Sequence, residues 1–428
     1  MPTNHAQTSA VRSPLTDAQR RQLTDLPTYW ITTQEQLFDL LDEIDTCKRI
    51  ALDTEFIKRD TFYPILALVQ VNTGKGVYLL DVPKLYMDEF WEVIRDVPTL
   101  VLHACGEDLG IYYLLSKLPP LTNVFDSQIA LGFLVGEGAW GYQRALADVL
   151  GIHVDKGESQ SDWLQRPLTF EQEQYAADDV RYLLALHDAI AEQLAARGLL
   201  DYAREDCQSY AREVYDNINT ADDALYLSVA DFRDTPQQLA LLRALCEWRE
   251  QLARSLNRPR TFILRPQTLR EIVDKPPHSI KQLSFTSIKP NVIRQYGQEI
   301  LALVAEVRQT DPTSYPATLP PPYRNLSNSV QKAISHATRE QAAKLGMDDS
   351  VLMRKKWLSE LYAQVLASQT AQAGVEPPQT DAALSAHLSP WLSGWRQDWT
   401  LVTLVPILQA AVGQAADVAA DSSPSIAD

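Results

Sequence analysis

Three short apolar runs follow one another between residues 49 and 81, and each ends at a turn signal. Arg49–Phe56, Ile65–Val71 and Val77–Asp81 are strand-like, with Pro64 and the Gly74-Lys75-Gly76 turn between them. A meander of this kind reads as antiparallel. Ahead of it, Trp30-Ile31 leads into Thr33-Gln34-Glu35-Gln36, a capping-box pattern. That pattern opens a helix whose apolar positions are Leu37, Leu40, Leu41 and Ile44. Behind the meander the periodicity alternates. Tyr86–Asp96 predicts a helix, Thr99–His103 a continuously apolar buried strand, Glu107–Leu115 a helix, Asn123–Phe125 a short strand and Ser127–Val135 another helix. Glu171–Arg197 predicts one long helix with few breakers. The pattern is that of a mixed sheet with helices on both sides, an α/β domain.

The pattern also divides the chain. Residues 1–25 lack periodicity and are expected to be a disordered tail, and the α/β unit is placed at 26–212. Tyr215–Arg233 is acidic and irregular, so 213–234 reads as a linker. From Pro236 every long pattern is helical; Pro236–Asn257 carries Leu239, Leu242, Leu245, Trp248 and Leu252 on helical spacing. Thr310–Arg324 is proline-rich and marks a boundary between helical regions at 235–316 and 320–412. The Ala/Ser/Asp-rich 413–428 is expected to be a disordered tail.

Composition adds exclusions. No stretch approaches the ~20 apolar residues of a membrane helix, and the polar N-terminus shows no secretory signal. Cys47, Cys105, Cys207 and Cys246 are scattered, which argues against a zinc ribbon or a disulfide framework and fits a cytoplasmic protein. The net charge is −16, but unevenly spread. Leu26–Arg212 holds 15 basic against 30 acidic residues, and Asp231–Pro316 holds 13 against 9. An acidic, metal-binding unit followed by a mildly basic module would suit phosphate contact; drift in charge is the alternative.

The first run ends in Asp53-Thr54-Glu55-Phe56. Residues i and i+2 of a strand share a face, so Asp53 and Glu55 converge. Two like charges so placed call for a cation, and carboxylates suit Mg²⁺ or Mn²⁺; a solvated strand end is the alternative. Asp108, in His103-Ala104-Cys105-Gly106-Glu107-Asp108, sits where a strand meets a helix, as a ligand or as an N-terminal helix charge. Tyr175 and Asp179 are one helical turn apart and share a face, whereas Asp178 lies about 100° round the helix and is expected to face solvent.

DTEF after a strand, HACGEDL after a strand, VFDSQIA, and YAADDVRYL on a helix, in that order, resemble the DEDD exonuclease superfamily and, through the tyrosine, its DEDDy branch. FYPILALVQV and ESQSDWLQRPLTFEQEQYAADDVRYL are similar to the ribonuclease D family. The resemblance covers Tyr29 to Arg212 by motif and continues into a helical module similar to the HRDC domain shared with RecQ-type helicases. It implies a ribonuclease H-like (DnaQ-type) α/β exonuclease domain with a mixed sheet, followed by two all-α HRDC-type domains.

The resemblance further implies that Asp53, Glu55, Asp108 and Asp179 hold two divalent ions, Mg²⁺ or Mn²⁺, and that Tyr175 orients the attacking water. His103, Asp126, Gln128 and Phe56 match positions beside the site, in supporting or substrate-contacting roles, and Trp140 and Trp163 match scaffold positions. Cys105 stands where glycine is usual and could crowd the turn; Asp178 stands where alanine is usual. The implied activity is 3′→5′ exoribonuclease hydrolysis releasing nucleoside 5′-monophosphates. The expected substrates are tRNA precursors and other structured RNAs with 3′ extensions. Action mainly on DNA, or an inactive RNA-binding scaffold, are the alternatives. In the helical module, Arg249, Arg254, Arg258, Arg260 and Arg265 would contact phosphates or form a solvated face.

Overall fold

The computed structural model describes residues 11–136, 139–154, 157, 161–372 and 388–412. Six strands form one sheet: β1 (Thr28–Ile31), β2 (Ile50–Ile57), β3 (Ile65–Asn72), β4 (Val77–Asp81), β5 (Leu100–Leu102) and β6 (Val124–Asp126). Their spatial order is β1-β4-β3-β2-β5-β6. β3 and β4 are antiparallel, as the meander predicts, while β1–β4, β2–β5 and β5–β6 are parallel. β1 is an addition. Its four residues bury only Ile31 fully, too little pattern to read, but Thr28 registers with Val77 and Ile31 with Leu80.

Alternation along β2 assigns its two faces. Ile50 and Leu52 enter a core built with α2 (Gln34–Asp45), α3 (Asp88–Asp96) and α4 (Gly106–Ser116). Ala51 enters the opposite core, with α5 (Ser127–Val135), α6 (Phe170–Arg181) and α7 (Leu183–Ala196). Asp53 and Glu55 follow Ala51 at period two, and Thr54 follows Leu52. The long helix expected over Glu171–Arg197 is two helices, α6 and α7, divided at Tyr182. Asn72 explains the break: its amide nitrogen donates to the carbonyls of Val180 (2.9 Å) and Arg181 (3.1 Å), which a continuous helix would use itself.

Disorder expected at the N-terminus is corrected for residues 11–25. Asp17–Thr24 forms α1, closed by a Thr16–Gln19 capping box, and Val11 is 1% exposed in the exonuclease core. Ser13 N donates to Val149 O at 2.8 Å. These apolar anchors are isolated in sequence and find their partners far along the chain, so no local period betrays them. Residues 1–10, and the tail 413–428, lie outside the described residues. Tyr215–Arg233 is not irregular: α8 (Leu200–Ile218) runs into it and a 3₁₀ helix spans Asp222–Ser228.

The described residues up to Ile57, Leu66–Ile218 and the chain from Tyr323 form one unit; Lys58–Ile65 with Asn219–Pro322 form a second. The second unit packs α9 (Pro236–Ser255), α10 (Pro266–Asp274) and α11 (Pro290–Gln309) around Leu239, Leu242, Ile272 and Ile300, with Tyr226 joining its core. Two of its arginines are paired internally with one carboxylate. Glu250 is fully buried and is neutralised by Arg254 (3.0 Å) and Arg260, while buried Arg249 donates to Leu264 O. Of the five arginines only Arg249 is buried; Arg254 and Arg260 are partly or fully exposed but paired with Glu250, and Arg258 and Arg265 are exposed. In the first unit the C-terminal region is helical, with α12 (Asn328–Leu345) and α13 (Lys355–Gln372). No helix among the described residues is long and apolar enough to cross a membrane.

Candidate active site

β2 presents Asp53 and Glu55 to α6, and α6 returns Asp179 to them. One carboxylate oxygen from each of Asp53, Glu55 and Asp179 lies within 4.8 Å of the others. All three are oxygen donors, the set preferred by hard divalent cations. Packed this closely, they resist ionising together. Burial, then the neighbouring Asp108, Asp179 and Glu55, raises Asp53 well above the carboxylate range. Burial with Asp179 and Asp108 pushes Glu55 up to about 9. Burial with Asp178 and Asp108 pushes Asp179 up to about 8, against a hydrogen bond from Tyr175. A divalent ion would replace those protons as the compensating charge, so the residues fit a metal site.

Asp108 arrives from the other face of β2. It begins α4, and its carboxylate accepts the Thr54 hydroxyl at 2.5 Å, from the residue between Asp53 and Glu55 that points the opposite way. It thus stands beside the three-carboxylate group while acting on it electrostatically. Burial pushes it up to about 6, moderated by the Thr54 bond. Tyr175 hydrogen-bonds Asp179 and is raised by burial and by that carboxylate. Trp163, 1% exposed, supports the phenol with ring centres 6.0 Å apart.

His103, Asp126 and Gln128 form a supporting layer. Asp126 accepts four backbone N–H groups: Cys105 (2.9 Å) on one oxygen, and Ala104 (3.2 Å), Gln128 (2.7 Å) and Ile129 (3.2 Å) on the other. It caps α5 and clamps the β5–α4 turn, in which Ala104 holds a left-handed φ of 58°. His103 bonds Ser127 Oγ (2.8 Å) and the Trp140 carbonyl (2.9 Å), which Gln128 also reaches at 3.0 Å. Burial lowers the His103 pKa. Phe56 packs partly buried on the α2–α4 core, and Trp140 is buried in the opposite one.

Neither departure from the family pattern disturbs the site. Cys105 has an ordinary φ of −69° and is fully buried without a glycine-like turn at that residue. The close approach falls on Gly106, where a Cβ would lie 2.4 Å from the Tyr210 hydroxyl. Asp178 does not face solvent freely; it pairs at 3.0 Å with the buried Arg181, away from the cluster.

Two residues that local sequence does not reveal hold α6 in place. Arg166 donates to Asp81 (2.8 Å), Ala67 O (3.0 Å) and Trp163 O (2.7 Å), tying the approach to α6 onto β3 and β4. Burial opposes Asp81's charge, yet Arg166 and Lys84 hold its pKa below the usual range. Tyr142 donates to Asp178 O at 3.0 Å. No spacing rule connects these partners.

Comparison with known proteins decides the family. Residues 28–195 match a 3′–5′ exonuclease family model and residues 238–304 match the HRDC domain. Ribonuclease D of Pseudomonas paraeruginosa is 37% identical over 344 residues, 78% of this chain and 88% of that protein. Ribonuclease D of Xanthomonas oryzae pv. oryzae is 32% identical, covering 78% of this chain and 92% of the relative. The chain belongs to the ribonuclease D family. The crystal structure of Escherichia coli RNase D, described as an exoribonuclease involved in structured RNA processing, aligns with TM-score 0.77 and 26% identity over 90% of this chain and 99% of that one. Ribonuclease D family membership makes this chain a 3′–5′ exoribonuclease with a carboxylate cluster of the kind that binds divalent metal. The family expectation drawn from the motif order stands, as does that of a mixed-sheet exonuclease domain followed by helical regions.

Proposed function

We propose that this protein removes nucleotides from RNA 3′ ends with two divalent ions, Mg²⁺ or Mn²⁺, held by Asp53, Glu55, Asp108 and Asp179. The observation that carries the reading is three carboxylate oxygens within 4.8 Å, each acid held back from ionising by burial and by its neighbours. When bound, such ions supply an activated water and shield the departing 3′-oxygen. The chain's own contribution is position. Period two on β2 aims Asp53 and Glu55, α6 adds Asp179, and Thr54 steadies Asp108. Tyr175 is too weak an acid to serve as a base at neutral pH and instead orients the attacking water by hydrogen bonding. Attack at the terminal phosphodiester releases nucleoside 5′-monophosphates.

Structured RNAs with 3′ extensions, tRNA precursors among them, are the proposed substrates, handled in the cytoplasm. We assign 26–212 to catalysis and 235–316 and 320–412 to two helical modules that orient the RNA. The test uses a 5′-labelled tRNA bearing a short 3′ trailer, with Mg²⁺ or Mn²⁺, with EDTA, and beside single-stranded DNA. Stepwise 3′ shortening of the RNA that EDTA stops is expected. Shortening of DNA in preference to RNA, or shortening unaffected by EDTA, would overturn the reading.

A further inference from the structure

A cleft of about 460 Å³ opens within the first unit. Ala104, Gln128 and Ile129 line it from the β5–α4 turn and α5, Tyr210 from α8, and Arg354 and Trp391 from the non-helical stretches before and after α13. Arg354 sets it apart. The strongly buried arginines of this chain are spoken for: Arg181 by Asp178, Arg396 by Asp206, Arg249 by Leu264 O. Arg354 is exposed, and among the described residues no carboxylate lies within ion-pairing distance of it. Two indoles hold it instead. Its guanidinium carbon lies 5.0 Å from the Trp357 ring centre and 5.6 Å from that of Trp391, and those rings stack 4.8 Å apart.

A cation fixed by aromatic faces keeps its charge and its donors while losing mobility. The walls are apolar and hydroxyl-bearing apart from Asp126, whose two oxygens already accept four backbone N–H groups. In a chain of net charge −16, Arg354 thus makes the cleft suited to an anion with a flat, partly apolar body. The cleft also adjoins the catalytic scaffold. Ala104 is the left-handed residue of the turn that launches Asp108's helix, and Gln128 belongs to the helix that Asp126 caps. A strand lying there would rest on the turns that present the site.

We propose that this cleft binds a nucleotide of single-stranded RNA, with Arg354 taking a backbone phosphate. The proposal rests on RNA as the substrate and adds a specific binding residue outside the carboxylate cluster. It is tested by fluorescence anisotropy of a 5′-labelled oligoadenylate in EDTA, which separates binding from hydrolysis, using the full chain and the variants Arg354→Ala, Arg354→Lys and Gly132→Leu. Gly132 also lines the cleft, and a Cβ there meets nothing within 4 Å, so leucine fills the cleft without strain in the helix. Arg354→Ala should raise Kd about 5- to 10-fold and lower the slope of log K against log salt by about 0.7, the loss of one single-strand phosphate contact. Arg354→Lys should recover much of the slope, and Gly132→Leu should raise Kd with the slope unchanged. Unaltered melting would show that all three fold.

Wild-type Kd and slope in both Arg354→Ala and Gly132→Leu would overturn the proposal, as would AMP binding in the cleft without competition against the oligomer. The two readings fail separately. RNA shortened by the wild type, with variants that bind normally, removes the cleft alone. Oligomer binding that depends on Arg354, in a protein that shortens no RNA, removes the function alone.

Discussion

Asp53 is where catalysis and stability oppose each other. In metal-free protein Asp53, Glu55 and Asp179 keep their protons far above the ~4 of an unfolded carboxylate. The folded state therefore binds more protons than the unfolded state across this range, and stability falls as pH rises. The fall should run from about 4, where unfolded carboxylates ionise, through the values near 8 and 9 of Asp179 and Glu55. Melting temperature in EDTA should decline between pH 5.5 and 9, and Mg²⁺ should reverse the decline by taking the protons' place. A flat EDTA profile would contradict the crowding of these groups. Asp53→Asn removes one repelling carboxylate, so at pH 8 in EDTA it should melt about 2–4 °C higher than wild type for each kcal/mol of repulsion relieved. It should also lose at least ~10³-fold in kcat, because the site then lacks a charge that holds the ions. Tyr175→Phe keeps every carboxylate and loses only the orienting hydroxyl, so its kcat should fall about 10- to 100-fold. Equal losses in the two variants would place the tyrosine in the same role as the ligands.

The turn between β5 and α4 shows how one element is aimed by another. Asp126, at the end of β6, receives four backbone N–H groups and reaches no member of the carboxylate cluster. Asp126→Ala would orphan those donors and should cost roughly 2–4 kcal/mol, with activity falling because Asp108's helix loses its anchor. Asp126→Asn retains an acceptor for the oxygen that serves Ala104, Gln128 and Ile129, so it should keep most of the activity and lose about half as much stability. A loss in Asp126→Asn as deep as in Asp53→Asn would make Asp126 a ligand. The difference between what the chain reveals locally and what it conceals runs along the same line. β2 was legible with its carboxylates because period two is a local property, and Tyr175 and Asp179 because one helical turn is. Thr54's attachment to Asp108 is half legible: period two puts it on the opposite face, but its partner is 54 residues away. The division of α6 from α7 depends on Asn72, and the seating of α6 on Arg166 and Asp81. Charge density over 249–265 allowed a phosphate-binding or a solvated face and did not reveal that the buried Glu250 pairs with Arg254 and Arg260. Apart from Glu250 and Arg254, one helical turn apart, these contacts join residues that no periodicity links.

At the scale of the molecule, the question is how the C-terminal helices come to belong to the exonuclease unit. Their attachment is polar and buried. Arg396 is 1% exposed and grips Asp206 of α8 through both nitrogens, at 2.5 and 2.8 Å, while donating to Val351 O (2.7 Å) and Leu352 O (2.8 Å). Trp395 covers the pair, its indole N–H on Asp206 at 2.9 Å and its ring 3.8 Å from the guanidinium carbon. Trp391 donates to Glu213 at 2.6 Å farther along the same helix. A buried ion pair adds modestly to stability when intact, but removing one partner leaves the other charged in a low dielectric, at a cost of about 3–5 kcal/mol. Asp206→Asn should therefore lower the melting temperature of the exonuclease unit by roughly 6–15 °C. The second unit, Lys58–Ile65 with Asn219–Pro322, contains neither partner and should melt as in wild type. Calorimetry of the full chain separates the two. Combining Asp206→Leu with Arg396→Met removes both charges and should recover part of the loss. A first-unit transition that Asp206→Asn leaves unmoved would mean that the C-terminal helices are held by their other contacts, Trp391 to Glu213 among them. The Arg354 cleft would then be expected to survive loss of the Asp206–Arg396 pair, whereas attachment through that pair predicts that oligomer binding weakens with it.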